Sequence, residues 1–515
     1  MTNTDIVQKL WSLCDVLRDD GINYSDYVTE LVLLLFIKME YEQVQNNANF
    51  EHKLPDGCRW SDLISKTGLI RLNHYRKMLL DLGKSSDPII AAIYADSQTN
   101  IKEPGHFDQL IKSLDAIDWF SARKDGLGDL YEGLLAKNAS ETKSGAGQYF
   151  TTRPLIDSII RVIRPQAGEI IQDPAAGTAG FLIAADSYIK QNTNDHADLD
   201  EKARYFQRNF AFVGVELVPG TRRLALMNCL LHGMEGNSEG IVRLGNTLSK
   251  TGIGLPKADL ILSNPPFGTA KGGGGPIRDD LTYKTSNKQL AFLQHIYHSL
   301  KPGGRAAVVL PDNVLYDAGV GTEVRRSLMD KCNLHTILRL PTGIFYAQGV
   351  KTNVLFFQKG TRENPLQEKD CTQRVWIYDL RTNTPNFGKR NPFGSAHLKP
   401  FEDAYGVDAN GNSARAENVD GIGTLSRFRV FTRDFIRERG DSLDISWLKD
   451  ADILDPTKLP APEVLAGEAM AEMTEALHEL EELMKALGAG DEVAAQKQLM
   501  AEVMGLAIAR EDGDE

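Results

Sequence analysis

The chain has 515 residues, too many for one hydrophobic core, so two or three domains are expected. It is 42% apolar and 25% charged, which excludes a low-complexity or fibrous chain. Its net charge of −12, from 58 Lys and Arg against 70 Asp and Glu, gives a poor long-range field for a polyanion. Either a local basic surface or another subunit must supply the grip on such a ligand.

The strongly apolar run Leu31–Ile37 is far shorter than the ~20 residues that span a bilayer. The start, MTNTDIVQKL, lacks the regions of a signal peptide. A cytoplasmic protein with no membrane partner is expected. Cys14, Cys58, Cys229, Cys332 and Cys371 are scattered and free of CxxC spacing, so reduced thiols are expected, with neither a disulfide framework nor a metal site.

In chain order, residues 1–140 read as a helical domain. Ile6, Val7, Leu10, Leu13, Val16 and Leu17 keep one helical face. Ser25 is placed to cap a second helix whose interior, Leu31–Ile37, is apolar all round and so buried. Shorter helical patterns follow at Leu72–Leu82 and Leu127–Leu135. Whether this bundle packs on a partner or on its own second domain is open.

Residues 141–395 read as an α/β catalytic domain with a seven-stranded, doubly wound sheet. Strands are predicted at Glu169–Gln172, Phe210–Val215, Gly240–Leu244, Asp259–Leu262, Arg305–Leu310, Leu334–Leu340 and Thr352–Gln358. A helix over Asn287–Leu300 stops at Lys301-Pro302-Gly303-Gly304. Residues 396–515 read as a loop-rich segment (GVDANGNSARAENVDGIG) and a C-terminal helical region for subunit contacts. Within it Met473, Leu477, Leu480, Met484 and Leu487 form a short heptad seam that suits either its own domain or a partner helix.

Asp173-Pro174-Ala175-Ala176-Gly177-Thr178-Ala179-Gly180 joins a strand to a helix N-terminus through small residues, which lets backbone N–H groups approach a ligand. The amino-acid carboxylate of S-adenosylmethionine suits those donors, and an acid at the strand end suits its ammonium. The next strand ends in Glu216, whose two oxygens can accept both ribose hydroxyl hydrogens. A rim carboxylate with no ligand is the alternative. Upstream, Gln148, Tyr149, Phe150, Thr151, Thr152 and Arg153 form a helix entry, which beside the other motifs resembles a cofactor lid.

ADLILSNPPFG delivers Asn264-Pro265-Pro266-Phe267 to the carboxyl end of a strand, where open α/β sheets place ligand chemistry. The amino nitrogen N6 of adenine is a poor nucleophile because its lone pair is delocalised into the ring. The Asn264 side-chain carbonyl and the Pro265 main-chain carbonyl can accept its two N–H bonds and favour a tetrahedral nitrogen. Consecutive prolines hold that backbone rigid, and Phe267 offers a stacking face for a base out of the duplex. The glycine-rich segment Gly268–Lys288 carries Lys271, Arg278, Lys284 and Lys288, and reads equally as a loop closing on a substrate backbone or a solvated linker.

Together and in order, GQYFTTRPLI, DPAAGTAGFL, GVELVPGTRRLALMNCLLH, NPPFG, KPGGRAAVVLPDNVL and LPTGIFYAQGVKTNVLFF closely resemble the modification (methylation) subunit of bacterial type I restriction-modification systems. The resemblance implies an adenine-specific N6 DNA methyltransferase using S-adenosylmethionine. It implies double-stranded DNA, a specificity subunit, a second modification subunit and, in some systems, a motor/nuclease restriction subunit as partners. By motif, Gln148 to Arg153, Asp173, Thr178, Ala179, Gly180 and Glu216 would hold the cofactor, and Asn264 to Phe267 the adenine. Asn246 stands where related enzymes often carry an acid near the cofactor's adenine, and Thr152 where many carry proline. The same tetrapeptide chemistry can serve a glutamine side chain of a protein, and a catalytically idle scaffold on DNA is a third reading.

Overall fold

An apolar run with no polar face has to be enclosed, and Leu31 to Ile37 are each at most 2% exposed. They lie in α2 (Tyr24–Asn46), which follows α1 (Asn3–Ser12) and precedes α3 (Trp60–Ile64), α4 (Gly68–Leu82), α5 (Pro88–Tyr94) and α6 (Pro104–Asp115). Enclosure also takes in Lys38, whose ammonium lies 2.7 Å from Asp115 and 3.0 Å from Glu42. The indole N–H of Trp60 donates to the same Asp115 oxygen at 3.1 Å. A buried charge without such partners would cost several kcal/mol, on the order of 3–5, so these contacts fix how α2, α3 and α6 meet.

The computed structural model describes residues 3–13, 24–46, 52–117, 133, 151–269, 278–345, 350–388, 391–417 and 427–448. All belong to the unit Met1–Leu448; the second unit, Lys449–Glu515, with its heptad seam, lies outside the described residues. So do Gln148, Tyr149, Phe150 and Lys271.

From Thr151 onward the chain alternates. The helices are α7 (Arg153–Ile163), α8 (Gly180–Asn192), α9 (Glu201–Asn209), α10 (Pro219–Leu231), α11 (Lys250–Ile253), α12 (Lys288–Ser299), α13 (Asn313–Tyr316), α14 (Val320–Lys331), α15 (Ser395–Tyr405) and α16 (Arg433–Glu438). The strands are β1 (Ile171–Asp173), β2 (Phe212–Glu216), β3 (Val242–Leu244), β4 (Ala258–Ser263), β5 (Leu300–Pro311), β6 (Cys332–Arg339), β7 (Thr352–Lys359), β8 (Arg374–Asp379) and β9 (Phe428–Thr432). They form one sheet in the order β3-β2-β1-β4-β5-β7-β6-β8-β9. β1 to β5 pair in parallel, and β7 runs antiparallel between β5 and β6.

The doubly wound sheet expected from the sequence is present, but among the described residues it has nine strands rather than seven. The additional β8 pairs in parallel with β6, and β9 pairs antiparallel with β8. The sheet therefore continues beyond residue 395, and α15 packs back on α7.

Alternation along the strands builds a core on each face. Leu260, Leu262, Val354 and Phe356 join α7, α8, α10 and α15 on one side; Ile261, Leu355 and Phe357 join α12, α14 and α16 on the other. The N-terminal helices belong to the first side, with α2 and α5 packed on α10, so they sit on the chain's own α/β half.

Phe356 is fully buried and its ring lies 5.8 Å from that of Phe401 and 5.3 Å from that of Tyr405, both on α15. Phe356→Ala is expected to lower the unfolding free energy by about 3–5 kcal/mol in urea titrations. A loss under ~1 kcal/mol would mean that the sheet–α15 contact is dispensable.

Candidate active site

The sheet order reverses between β1 and β4, so the carboxyl ends of these neighbouring strands open a crevice at the switch point. β1 ends in Asp173, and the turn after it is shaped by two left-handed residues. Gly177 has φ 54°, and a Cβ there would meet nothing within 4 Å, so the turn faces open space. Ala179 takes φ 68° at the entry to α8, held by its N–H to Ala176 O at 2.7 Å. A non-glycine residue in that conformation costs on the order of 1–3 kcal/mol and persists where its surroundings enforce it. Here Ala176 N–H is itself tied to Val215 O of β2 at 2.9 Å.

Glu216, at the end of β2, accepts from Gly177 N–H at 3.1 Å through one oxygen and from Val218 N–H at 2.8 Å through the other. Each carboxylate oxygen can accept a second hydrogen, so a diol can still be bound while the backbone fixes the group's direction. The Thr152 hydroxyl oxygen is buried with no hydrogen-bond partner among the described residues. An open turn, a fixed carboxylate and a spare buried hydroxyl fit the amino-acid and ribose ends of S-adenosylmethionine.

β4 ends in Ser263, 0% exposed, whose hydroxyl donates to Asp173 Oδ1 at 2.8 Å across the crevice. Asn264 follows immediately and its Nδ2 donates to Thr151 Oγ1 at 3.0 Å. Pro265 is buried, while Asn264, Pro266 and Phe267 are partly exposed. Beyond Phe267 the backbone is pinned again: Gly268 N–H donates to Gln289 Oε1 at 3.0 Å, and Gly268 O accepts from Lys288 N–H at 3.0 Å. The tetrapeptide is thus held at both ends by α12 and β1.

The structure brings Thr151, Asp173, Ser263 and Asn264 together and gathers Thr178, Ala179, Gly180 and Glu216 around the adjoining turn. Thr152 has φ −65° and ψ 141°, the conformation a proline takes, so threonine at this position leaves the entry to α7 unchanged. Arg153 turns along its own helix to Asp157 at 2.8 Å. Asn246 is exposed after β3, and its Oδ1 accepts from Leu248 N–H at 2.9 Å.

Arg278, one of the cations in the glycine-rich segment, is only 5% exposed and faces inward, not toward solvent. It pairs with Asp280 and donates to Thr247 O at 3.1 Å, and its Nη1 lies 2.7 Å from His295 Nδ1. Ser263, Thr247, Gln289 and Arg278 carry no motif that assigns them. Ser263 alone offered a signal, a polar residue closing the apolar run Leu260–Leu262.

Burial pushes the Asp173 carboxyl up to about 7, against the hydrogen bonds from Ala175 and Ser263. A raised acid contributes stability that is present in acid and lost as pH rises through about 7. Asp173→Asn is therefore expected to raise the thermal midpoint most at about pH 8, by less at about pH 5, and not at all below the ordinary carboxyl value of 3.8, by calorimetry on the ligand-free chain. A lower midpoint at the higher pH would mean that the ionised form is the stabilised one.

The N-6 DNA Methylase family model matches residues 122–438. The HsdM N-terminal domain matches residues 6–114, and the C-terminal domain of the type I restriction enzyme methylase subunit matches residues 459–502. The chain is 55% identical to the type I restriction enzyme StySPI methylase subunit of Salmonella potsdam, over 98% of this chain and 99% of that protein. It is equally similar, with the same coverage, to the EcoKI methylase subunit of Escherichia coli strain K12. The crystal structure of the EcoKI M protein aligns with 51% identity and a TM-score of 0.57, over 97% of this chain and 99% of that one. The open turn, the carboxylates and the tetrapeptide at one switch point thus occur in a chain that belongs to the N-6 DNA methylase family, among the methylase subunits of type I restriction enzymes.

Proposed function

We propose that this chain transfers the methyl group of S-adenosylmethionine to N6 of an adenine turned out of double-stranded DNA, as the modification subunit of a type I restriction-modification complex. The observation that carries the residue assignment is the junction of β1 and β4, where Ser263 joins Asp173 to the start of Asn264-Pro265-Pro266-Phe267. This junction sets the tetrapeptide beside the open turn.

Asn264 and Pro265 accept the two N–H bonds of N6 through their side-chain and main-chain carbonyls, and Phe267 stacks on the base. Asp173, Thr178, Ala179, Gly180 and Glu216 hold the cofactor, with the segment from Gln148 to Arg153 beside them and Asn246 at the adenine end. The cofactor supplies a methyl group activated on a sulfonium sulfur. The N6 lone pair forms the new C–N bond as the S–C bond breaks with its electron pair going to sulfur, and N6 then gives a proton to water. No side chain forms a covalent bond; the protein aligns the base and strips its nitrogen of conjugation.

Sequence choice falls to a separate specificity subunit, with a second modification subunit and a motor/nuclease subunit as further partners. Residues 141–395, with the strands that extend their sheet, carry the chemistry; residues 1–140 form a helical domain, and the C-terminal helical region within residues 396–515 serves subunit contacts. No helix among the described residues is long and apolar enough to cross a membrane, and we place the enzyme in the cytoplasm. Transfer to a protein glutamine and an idle scaffold lose ground to the 55% identity that runs through the whole chain.

Radiolabelled methyl transfer should appear on DNA when the specificity subunit is present. Site-specific methylation by the chain alone at ordinary salt, or labelling of protein instead of DNA, would overturn the reading. Asn264→Ala in the assembled complex should retain cofactor binding and lose at least ~100-fold in transfer rate; unchanged activity would remove the assigned role.

A further inference from the structure

We infer that Thr151 is a positioning residue for the transfer step, setting which face of the Asn264 amide meets the base. The inference rests on the assignment of Asn264 to N6 and adds to it a role for Thr151 distinct from holding the cofactor.

A primary amide has two ends of nearly equal shape and opposite function. Its oxygen accepts hydrogen bonds and its nitrogen donates them. Against an amino group, only the oxygen is useful; a flipped amide sets N–H against N–H and leaves the N6 lone pair conjugated. A partly exposed asparagine on a bare strand end would sample both orientations. A hydroxyl can meet either end of the amide, so the choice also requires its own hydrogen to be given elsewhere, as to the cofactor's carboxylate; the neighbour placed to do this is remote in sequence. Thr151 is 8% exposed, and its Oγ1 accepts from Asn264 Nδ2 at 3.0 Å. With Nδ2 committed to the hydroxyl, Oδ1 occupies the other branch of the amide and faces away from Thr151.

The surrounding backbone makes this bond a constraint rather than a contact of chance. Ser263, the residue before Asn264, is anchored on Asp173, and Gly268, past Phe267, is anchored on Gln289 and Lys288. Thr151 leads into α7, where Thr152 O accepts from the N–H groups of Leu155 at 3.1 Å and Ile156 at 3.2 Å. Both sides of the bond are therefore carried by fixed main chain, and the hydroxyl acts on the amide torsion between them. A threonine hydroxyl that accepts from Asn264 also keeps its own hydrogen to donate, so it can serve a cofactor carboxylate in the same geometry. Polarisation of the amide through this bond is a minor part, on the order of 10–30% of one hydrogen bond. Orientation is the larger part, since misplacing a reacting group by ~1 Å can cost 100-fold in rate.

The test uses the chain assembled with its specificity subunit and DNA bearing one target site. Thr151→Val keeps the shape and removes the hydroxyl; Thr151→Ser restores it. At saturating cofactor in single turnover, Thr151→Val should transfer methyl roughly 10- to 100-fold more slowly, with Thr151→Ser within ~3-fold of the parent. S-adenosylhomocysteine affinity by calorimetry should stay within ~10-fold, and the fluorescence rise of 2-aminopurine at the target position should persist, because base extrusion does not need the hydroxyl. Combining Thr151→Val with Asn264→Ala should be no slower than Asn264→Ala alone.

An unchanged single-turnover rate for Thr151→Val, with only weaker cofactor binding, overturns the inference and leaves Thr151 a cofactor ligand. A faster Thr151→Val also overturns it, since the hydroxyl would then be competing for the carbonyl. Loss of the 2-aminopurine signal or of the thermal midpoint in both variants would assign Thr151 a structural role and likewise overturn it. If Asn264→Ala itself remains active, the assignment of Asn264 fails, and that result is separate from any outcome at Thr151.

Discussion

The buried hydrogen bond from Ser263 to Asp173 is the constraint on which the site depends. Parallel pairing of β1 with β4 ends at Gln172 and Ile261, so the last residues of these strands lie beyond the ladder. Without a further link, the turn after Asp173 and the tetrapeptide after Ser263 would diverge as separate loops. The Ser263 hydroxyl closes that gap at 2.8 Å, and Ala175 N–H approaches the same carboxyl oxygen at 3.0 Å. One buried carboxyl therefore sets the start of both walls of the crevice. The arrangement is costly in the free chain, because burial disfavours the charged form that those donors prefer.

Much of this was legible in the sequence for a simple reason. Strands β1 to β7 are short apolar segments with turn residues between them, and each predicted segment overlaps the strand observed. β8 and β9 carry weaker signals. Val375 and Ile377 face one core while Trp376 and Tyr378 face the other, so RVWIYD has no polar side to mark its period. FRVFT is five residues long and, among the described strands, pairs with β8 alone. The strand ends that carry Asp173, Glu216 and Asn264 could be read because small or proline-rich turns follow them. The pairing of Thr151 with Asn264 could not, since the two are 113 residues apart and no spacing rule connects them.

Charge counts also mislead in a way that the fold explains. Arg71, Arg278, Arg305, Arg325, Arg339 and Arg433 are each at most 8% exposed. Their guanidinium groups serve the interior: Arg305 holds Glu169 together with Ile163 O and Arg164 O, and Arg325 binds Asp441 O, Val314 O and Asp317 O. Planar, multiply donating groups suit the bridging of separate elements. Each arginine so used is lost to phosphate contact, so the surface has fewer cations to offer than the composition suggests. Carboxylates such as Glu30, Glu40, Asp186, Asp379 and Asp441 are buried as well, so the surface keeps the acidic balance of the chain, and reliance on a second polypeptide for the grip on DNA follows from that balance.

Arg278 shows how far that inward use reaches toward the site. It lies within the glycine-rich segment Gly268–Lys288, where a free cation would be available to a DNA backbone. Instead it donates to Thr247 O, and the Thr247 hydroxyl donates to Pro174 O at 2.6 Å, in the turn beside Asp173. Burial and the adjacent Arg278 push His295 down to about 3, so the imidazole is neutral at ordinary pH and can accept from the guanidinium instead of repelling it. Gly252 completes the fit, because a Cβ there would lie 2.7 Å from Arg278 Nη1 and 1.9 Å from Thr247 O. The base-side segment is thereby tied through one arginine to the cofactor-side turn, and Gln289 ties its other end to Gly268 behind Phe267. Neither Arg278 nor Gly268 can move without disturbing residues that line the crevice.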